Sequence, residues 1–160
     1  MKKQLIVAMI LSTFFAVSCE VDSQTPDNQS LVVNYGTSFG MCVGACRKEI
    51  SVEKDKTTFT VYVSQGRGGA NPTTQTYNEK NTNNLSNELS QNLDYEAFMK
   101  LDERIGCPDC ADGGAEFVEI IKGDRKHKVT FEYGKSPKEI VKLVTILREK
   151  RVYFEQKYLK

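Results

Sequence analysis

The sequence is poor in histidine and has no surplus of charge of either sign. It contains 1 histidine, and 22 lysine and arginine residues against 21 aspartate and glutamate residues give a formal net charge of +1. Nucleic-acid-binding domains usually carry a basic surplus or a basic face, so the composition argues against a nucleic-acid partner. The histidine, His127, belongs to a basic run at 125–128, which is typical of a solvated hairpin turn. No nucleophile motif stands beside His127, so we expect an exposed histidine and no catalytic residue.

The sequence also lacks an apolar run long enough to span a bilayer. The run at residues 5–17 has about 13 residues and is interrupted only by Ser12 and Thr13, whereas a membrane-spanning helix needs about 20. Lys2 and Lys3 precede this run. A charged start followed by a short apolar stretch is typical of a secretory signal peptide, and we expect residues 1–18 to form one.

The segment "AVSC" follows directly, with Ala16 three positions before Cys19 and Ser18 just before it. It resembles the lipobox of bacterial lipoproteins in the relaxed form of Bacteroidota, since the common pattern has leucine where Ala16 stands. The resemblance implies that Cys19 becomes the lipid-bearing N-terminus and that the protein is anchored in the cell envelope, at the outer membrane. Residues 19–30 are polar and aperiodic, which is typical of a flexible tether, and residues 31–160 would then form a single domain.

Four further cysteines remain, Cys42, Cys46, Cys107 and Cys110. An even number of cysteines in an exported protein indicates disulfides, and three pairings are possible. Local bridges would close very small loops and contribute about 2 kcal/mol each, whereas a bridge closing about 65 residues would contribute about 4 kcal/mol. Close spacing favours local pairing kinetically. The pairing stays open at this point.

The same residues allow three other chemistries. The motif "CPDC" resembles the redox site of thioredoxin-like proteins, but we expect a helix before it, and Gly113 and Gly114 would break a helix after it. The four cysteines can form a tetrahedral zinc site in a reducing compartment. Asp109, Asp112 and Glu116 crowd one glycine-rich turn, which suits calcium, although their spacing does not match an EF-hand. We expect no cofactor.

Alternating apolar residues predict two β-hairpins. Ile50 and Val52 share one face of a first strand, and Phe59, Val61 and Val63 share one face of the next. The second hairpin covers residues 115–134, with its turn at 123–124. A strand at 31–33 precedes both hairpins, and residues 65–84, rich in Gly, Asn and Thr, read as a loop.

Helical spacing follows that loop. Leu85, Leu89 and Leu93 recur at steps of four, and the apolar face continues through a second helix that ends at Gly106. A last helix is predicted to start with Ser136 as N-cap and Pro137 as first helical residue. The fold class is therefore α+β, with an antiparallel sheet of about four to five strands and two main helices packed on one face.

The stretch "FGMCVGACRKEISV" at residues 39–52 is similar to the opening of an uncharacterised family of bacterial domains. The shared feature is a Cys-x-Gly-x-Cys turn that leads into a strand, here Cys42, Gly44 and Cys46. The resemblance covers residues 31–151. It implies an α+β architecture of strand, helix, hairpin and closing helix, and it implies no catalytic residue.

Together these features predict a lipid-anchored envelope protein with a disulfide-linked binding or structural domain. The expected partners are the membrane, through the lipid on Cys19, and an envelope protein, an envelope polymer or a protease to be inhibited. The alternative is an envelope enzyme, or a thiol–disulfide or metal-dependent module that uses the two cysteine loops.

Overall fold

The computed structural model describes residues 30–66, 73–81 and 83–160. The predicted signal peptide, Cys19 and nearly all of the tether lie outside the described residues, as do residues 67–72 of the glycine-rich loop. Among the described residues, no helix is both long enough and apolar enough to cross a membrane.

In the described part of the chain, seven strands form one sheet with the spatial order β4-β3-β2-β1-β6-β7-β5. All neighbouring strands are antiparallel except β5 and β7, which are parallel. The bounds are β1 Leu31–Ser38, β2 Gly44–Val52, β3 Lys56–Ser64, β4 Thr73–Lys80, β5 Arg104–Ile105, β6 Ala115–Lys122 and β7 Arg125–Glu132.

Three α-helices of the described residues accompany the sheet: α1 Asn83–Gln91, α2 Tyr95–Phe98 and α3 Val141–Tyr158. Asp94 caps α2, because its side chain accepts from the backbone N–H of Ala97. Short 3₁₀ turns occupy Cys110–Asp112 and Lys138–Ile140.

The core lies on one face of the sheet, beneath the helices. The alternation of each strand turns its large apolar side chains to that face, where they meet Leu89 of α1, Phe98 of α2 and the apolar stripe of α3. The sheet residues that belong to this apolar core are Val33, Tyr35, Ile50, Val52, Phe59, Val61, Val118, Ile120, Val129 and Phe131. The opposite face has no helix of the described chain over it.

The α+β class and both predicted hairpins are confirmed, whereas the predicted sheet is only approximately right. It has seven strands instead of four to five, and it is mixed. Strand β4 lies inside the predicted loop at 65–84. Its residues are polar and mostly exposed because it is an edge strand, so the apolar alternation that marks a strand is missing.

The predicted second helix is wrong beyond Phe98. Residues 104–105 form β5 instead, and the backbone N–H of Thr130 in β7 donates to the carbonyl of Glu103 at 2.8 Å. This tertiary pairing overrides the helical spacing of Leu101 and Ile105, because a neighbouring strand supplies the backbone partners that a helix turn would otherwise supply.

Two local expectations also need correction. Ser136 does not cap α3; its hydroxyl accepts from Arg148, and Pro137 precedes a 3₁₀ turn. His127 is not fully exposed, because it shares the core face of the sheet. Its Nε2 lies 2.8 Å from the carbonyl oxygen of Leu101, and its ring packs edge-on against Phe98 at 5.5 Å.

Candidate binding site at the disulfide-bearing end of the sheet

The two cysteine loops lie at the same end of the sheet. The first, residues 39–46, joins β1 to β2, and we call it the tip loop. The second, residues 106–114, leads from β5 into β6, and we call it the brace loop. They meet because β1 pairs with β6, so that Ser38 at the end of β1 lies opposite Ala115 at the start of β6.

The tip loop is closed twice. Cys42 and Cys46 lie at disulfide distance, with Cα atoms 5.5 Å apart, a usual separation for a bridge. The backbone N–H of Phe39 donates to the carbonyl of Cys46 at 3.0 Å. Gly44 has φ +95°, which glycine adopts without steric cost. These constraints leave the loop little conformational freedom.

The brace loop is also constrained. Cys107 and Cys110 lie at disulfide distance, with Cα atoms 5.5 Å apart. Asp109, Ala111 and Asp112 have φ values of 62°, 51° and 58°, in the left-handed region that disfavours non-glycine residues. Such residues persist only where their surroundings fix them. Here the backbone N–H of Asp109 donates to the carbonyl of Gly114 at 3.0 Å.

Three contacts join the brace loop and its surroundings to the tip loop. The backbone N–H of Gly40 donates to Oδ1 of Asp109 at 3.3 Å. The ring of Phe39 lies against Gly114, where a β-carbon would come within 2.4 Å of the ring. The same ring packs on Tyr133 with centroids 5.1 Å apart. The brace loop therefore supports the tip loop from one side.

Apolar side chains project from this braced structure into solvent. Val43 is 78 % exposed and Met41 is 59 % exposed, the highest values for large apolar residues in the described chain. Tyr133, which packs on Phe39, is 45 % exposed. A shallow depression of about 370 Å³, lined by Met41, Val43 and Ser64 among others, separates the tip loop from the end of β3. Exposed apolar clusters held on rigid loops are typical of contact surfaces for other proteins.

The structure does not gather the three acidic residues considered for calcium. Asp109 is engaged with Gly40, whereas Glu116 is fully buried on the core face. Within the described ranges, no group of three or more His, Cys, Asp or Glu side chains is placed to hold a metal ion. A thioredoxin-like thiol site has a helix N-terminus beside its first cysteine, which here is Cys107. The chain instead makes a 3₁₀ turn there, whose Ala111 has a left-handed backbone.

Glu116 is fully buried behind the brace loop and forms an ion pair with the half-buried Arg148. Its Oε2 lies 2.9 Å from a guanidinium nitrogen of Arg148 in α3, and its Oε1 accepts from the backbone N–H of Gly134. Burial lowers the pKa of Arg148, but the hydrogen bond and the charge of Glu116 outweigh burial and hold that pKa above its ordinary value. The pair fixes α3 and the turn after β7 against the sheet.

The uncovered face of the sheet has a smaller depression of about 190 Å³. Its polar side chains mostly bind one another. Asn34 donates to Glu119 at 2.8 Å, and Lys128 lies over the ring of Phe117 at 4.0 Å. Burial raises the pKa of Glu119, but hydrogen bonds from Asn34 and Lys126 outweigh it and hold the pKa below its ordinary value. The polar side chains of this depression therefore have partners within the protein.

The sequence predicts both cysteine loops and Asp109, but it does not predict the exposed surface formed by Met41, Val43 and Tyr133. The signal for the first two is present, since apolar residues flank Cys42 in a turn where polar residues are usual. No such signal marks Tyr133, because it continues the apolar alternation of β7. It joins the exposed apolar surface of the tip loop only because its ring packs on Phe39.

No protein-family model matches this sequence, and no curated protein matches it either.

Proposed function

We propose that this protein is a lipid-anchored binding protein of the bacterial cell envelope, which inserts its tip loop into an apolar pocket on a protein partner. The observation that carries the proposal is the exposure of Met41 and Val43 on a loop closed by a cysteine pair and braced by a second one. Cys19 carries the lipid, residues 1–18 are removed, and residues 19–30 form the tether.

The rigidity of the tip loop favours binding as its role. Association costs free energy for every side chain and loop that must be ordered, so a loop ordered in advance loses less on binding. Apolar side chains that enter a partner's pocket at the centre of an interface supply much of the affinity. Val43 and Met41 have that chemistry. Without a partner, exposing these two apolar side chains to water would only reduce the solubility of the protein.

The anchor and the compartment are supported by the N-terminal sequence and by the cysteines. The charged start, the short apolar run and "AVSC" fit export and lipidation. Cysteine pairs at disulfide distance suit the oxidising space outside the inner membrane. The polar tether would let the domain stand away from the membrane surface.

The proposal includes no catalytic step. Three carboxylates near the tip loop are engaged in contacts that fix the loops: Asp109 with Gly40, Glu116 with Arg148, and Glu132 with the backbone N–H of Cys107. A general base or nucleophile needs a free acceptor facing a substrate.

The anchor is tested by metabolic labelling with a fatty acid and by the intact mass of the mature protein. We expect label on the wild-type chain, a mature N-terminus at Cys19, and neither in Cys19→Ala. A mature N-terminus at another residue, or equal labelling of both chains, would contradict the anchor without affecting the binding surface.

The binding surface is tested by photo-cross-linking in intact cells. A photoreactive amino acid replaces Val43 in one chain and Lys142, an exposed residue of α3, in the control chain. We expect a discrete adduct with a protein partner from position 43 and none of the same mass from position 142. The same adduct from both positions would contradict a role for the tip loop.

A further inference from the structure

The two edges of the sheet differ in length. The edge beside β7 is covered by β5, which has only 2 residues. The other edge is β4, with 8 residues, and no strand of the described chain pairs with its outer side. An unpaired edge of this length presents a row of free backbone donors and acceptors.

The register shows which backbone groups of β4 are free. The backbone N–H of Asn81, one residue past β4, donates to the carbonyl of Asp55 at 2.8 Å, toward β3. Backbone groups alternate in direction along a strand, so those of Tyr77 and Glu79 also face β3. The N–H and C=O groups of four residues therefore point outward: Thr74, Thr76, Asn78 and Lys80. The side-chain contact of Thr58 with Asn78 at 2.8 Å fits this assignment, because pairs without backbone bonds lie closer together.

The edge lacks the features that usually prevent pairing. Strand β4 contains no proline, and its register with β3 runs without a bulge. Its only charged residues, Glu79 and Lys80, lie at one end. Glu79 is already engaged, since its carboxylate accepts from Lys157 at 2.7 Å and from Tyr158 at 3.1 Å. Edges that avoid pairing usually carry prolines, bulges or central lysines.

We propose that β4 pairs with β4 of a second copy of this chain, in an antiparallel two-fold arrangement centred on Tyr77. This register sets outward-pointing residues against each other, Thr74 against Lys80 and Thr76 against Asn78. Gln75 faces Glu79, so no like charges meet. A shift centred on Thr76 would need a backbone donor at Pro72, which proline lacks.

The helix side of the same edge adds apolar surface. Tyr153 of α3 is 44 % exposed and its hydroxyl lies 3.4 Å from Glu79, so it stands beside β4. Val152 next to it is 38 % exposed. Two-fold pairing of β4 brings both copies of α3 to the same side of the joined sheet, with Tyr153 near the junction. The proposal rests on the fold alone and does not use the tip loop.

The test is sedimentation of the purified full-length chain in mild detergent over a range of concentrations. We expect a dimer, and we expect Thr76→Pro to weaken it at least about tenfold, because proline removes an outward N–H and no bond of the β3–β4 ladder. Thr76→Lys places a charge at the centre of the edge and should weaken the dimer without altering the backbone. If circular dichroism shows that Thr76→Pro does not fold, the Thr76→Lys variant alone tests the dimer.

A monomeric wild-type chain at all concentrations would overturn the proposal. A dimer that both variants leave unchanged would also overturn it, since the contact would then lie elsewhere. If β4 instead pairs with an extended segment of another protein, the purified chain should be a monomer and should form a complex with that protein that Thr76→Lys weakens. That result would also exclude pairing with a second copy.

Discussion

The backbone N–H of Gly40 donates to the carboxylate of Asp109 at 3.3 Å, across 69 residues of sequence. The contact joins two loops that each contain a cysteine pair, so that neither loop depends only on its own closure. Beside it, Phe39 is held between Gly114 and Tyr133. The exposed side chains of Met41 and Val43 are therefore carried by a structure that extends through β1, β6 and β7.

Gly114→Ala should destabilise the protein more than Gly134→Ala. Both glycines have nearly the same left-handed backbone, with φ +79° and +78°. A β-carbon at Gly114 would collide with Phe39, whereas nothing lies within 4 Å of one at Gly134. We expect about 1 kcal/mol at Gly134 from backbone strain alone and about 2–4 kcal/mol at Gly114. Urea unfolding measures both, and equal losses would show that Phe39 does not pack as described.

The double variant Cys42→Ala, Cys46→Ala should lose about 2 kcal/mol of unfolding free energy, because the closed loop is very short. Amide hydrogen exchange at Val43 and Gly44 should become faster in this variant, while exchange in α3 should stay unchanged. Reductant should destabilise the variant less than the wild-type chain, since only Cys107 and Cys110 remain to be reduced. A variant as stable as the wild-type chain would indicate that Cys42 and Cys46 are not bonded.

Glu116→Ala should lower stability by about 2–4 kcal/mol, because Arg148 would lose its charged acceptor and the backbone N–H of Gly134 would lose its partner. Lys135→Ala is the matched control, since its ion pair with Glu132 is exposed and should contribute less than about 1 kcal/mol. Thermal and urea unfolding of the two variants give the comparison. Similar small losses would show that the Glu116 pair contributes no more than a surface pair.

Tyr35→Phe should cost little near neutral pH and should protect the protein in alkali. The phenol oxygen is buried without a hydrogen-bond partner among the described residues. Burial raises the pKa of Tyr35 to about 12, the charge of Glu116 adds to this, and the nearby Arg151 only partly offsets it. Because the folded-state pKa is raised, the stability from Tyr35 is complete below about pH 10 and is lost as the pH rises toward 12.

The Tyr35→Phe chain has no phenol at this position, so it does not lose stability in alkali by this route. Its stability relative to the wild-type chain should therefore rise by about 1.4 kcal/mol between pH 8 and pH 11. Urea unfolding at both pH values measures the difference. A constant difference across this range would contradict the raised pKa of Tyr35.

The elements that the sequence predicts well are those with strong apolar alternation. Ile50, Phe59, Val129 and Phe131 bury one face of their strands, and that burial leaves a period of two in the sequence. Strand β4 has no such period because both its faces are largely exposed. It is a strand because its backbone pairs with β3, and the composition of β4 does not predict that pairing.

The candidate site divides in the same way. That the four cysteines form disulfides is predictable, because an even number of cysteines in an exported chain indicates bridges, but their pairing stays open in the sequence. The contacts Gly40–Asp109 and Phe39–Gly114 are not predictable, because they depend on β1 lying beside β6. In the chain, four strands and two α-helices lie between β1 and β6. The exposure of Val43 depends on these contacts, so it cannot be predicted from the sequence without them.

The most direct measurement of the central claim is photo-cross-linking from position 64, beside the tip loop, with and without the double variant Met41→Asp, Val43→Asp. Ser64 lines the depression next to Met41 and Val43, so its cross-link reports a bound partner without replacing either side chain. Both substitutions lie at exposed positions and should leave unfolding free energies within about 0.5 kcal/mol of the wild-type value. Loss of the adduct in a folded double variant is the predicted result, and an undiminished adduct would contradict the tip loop as the binding surface.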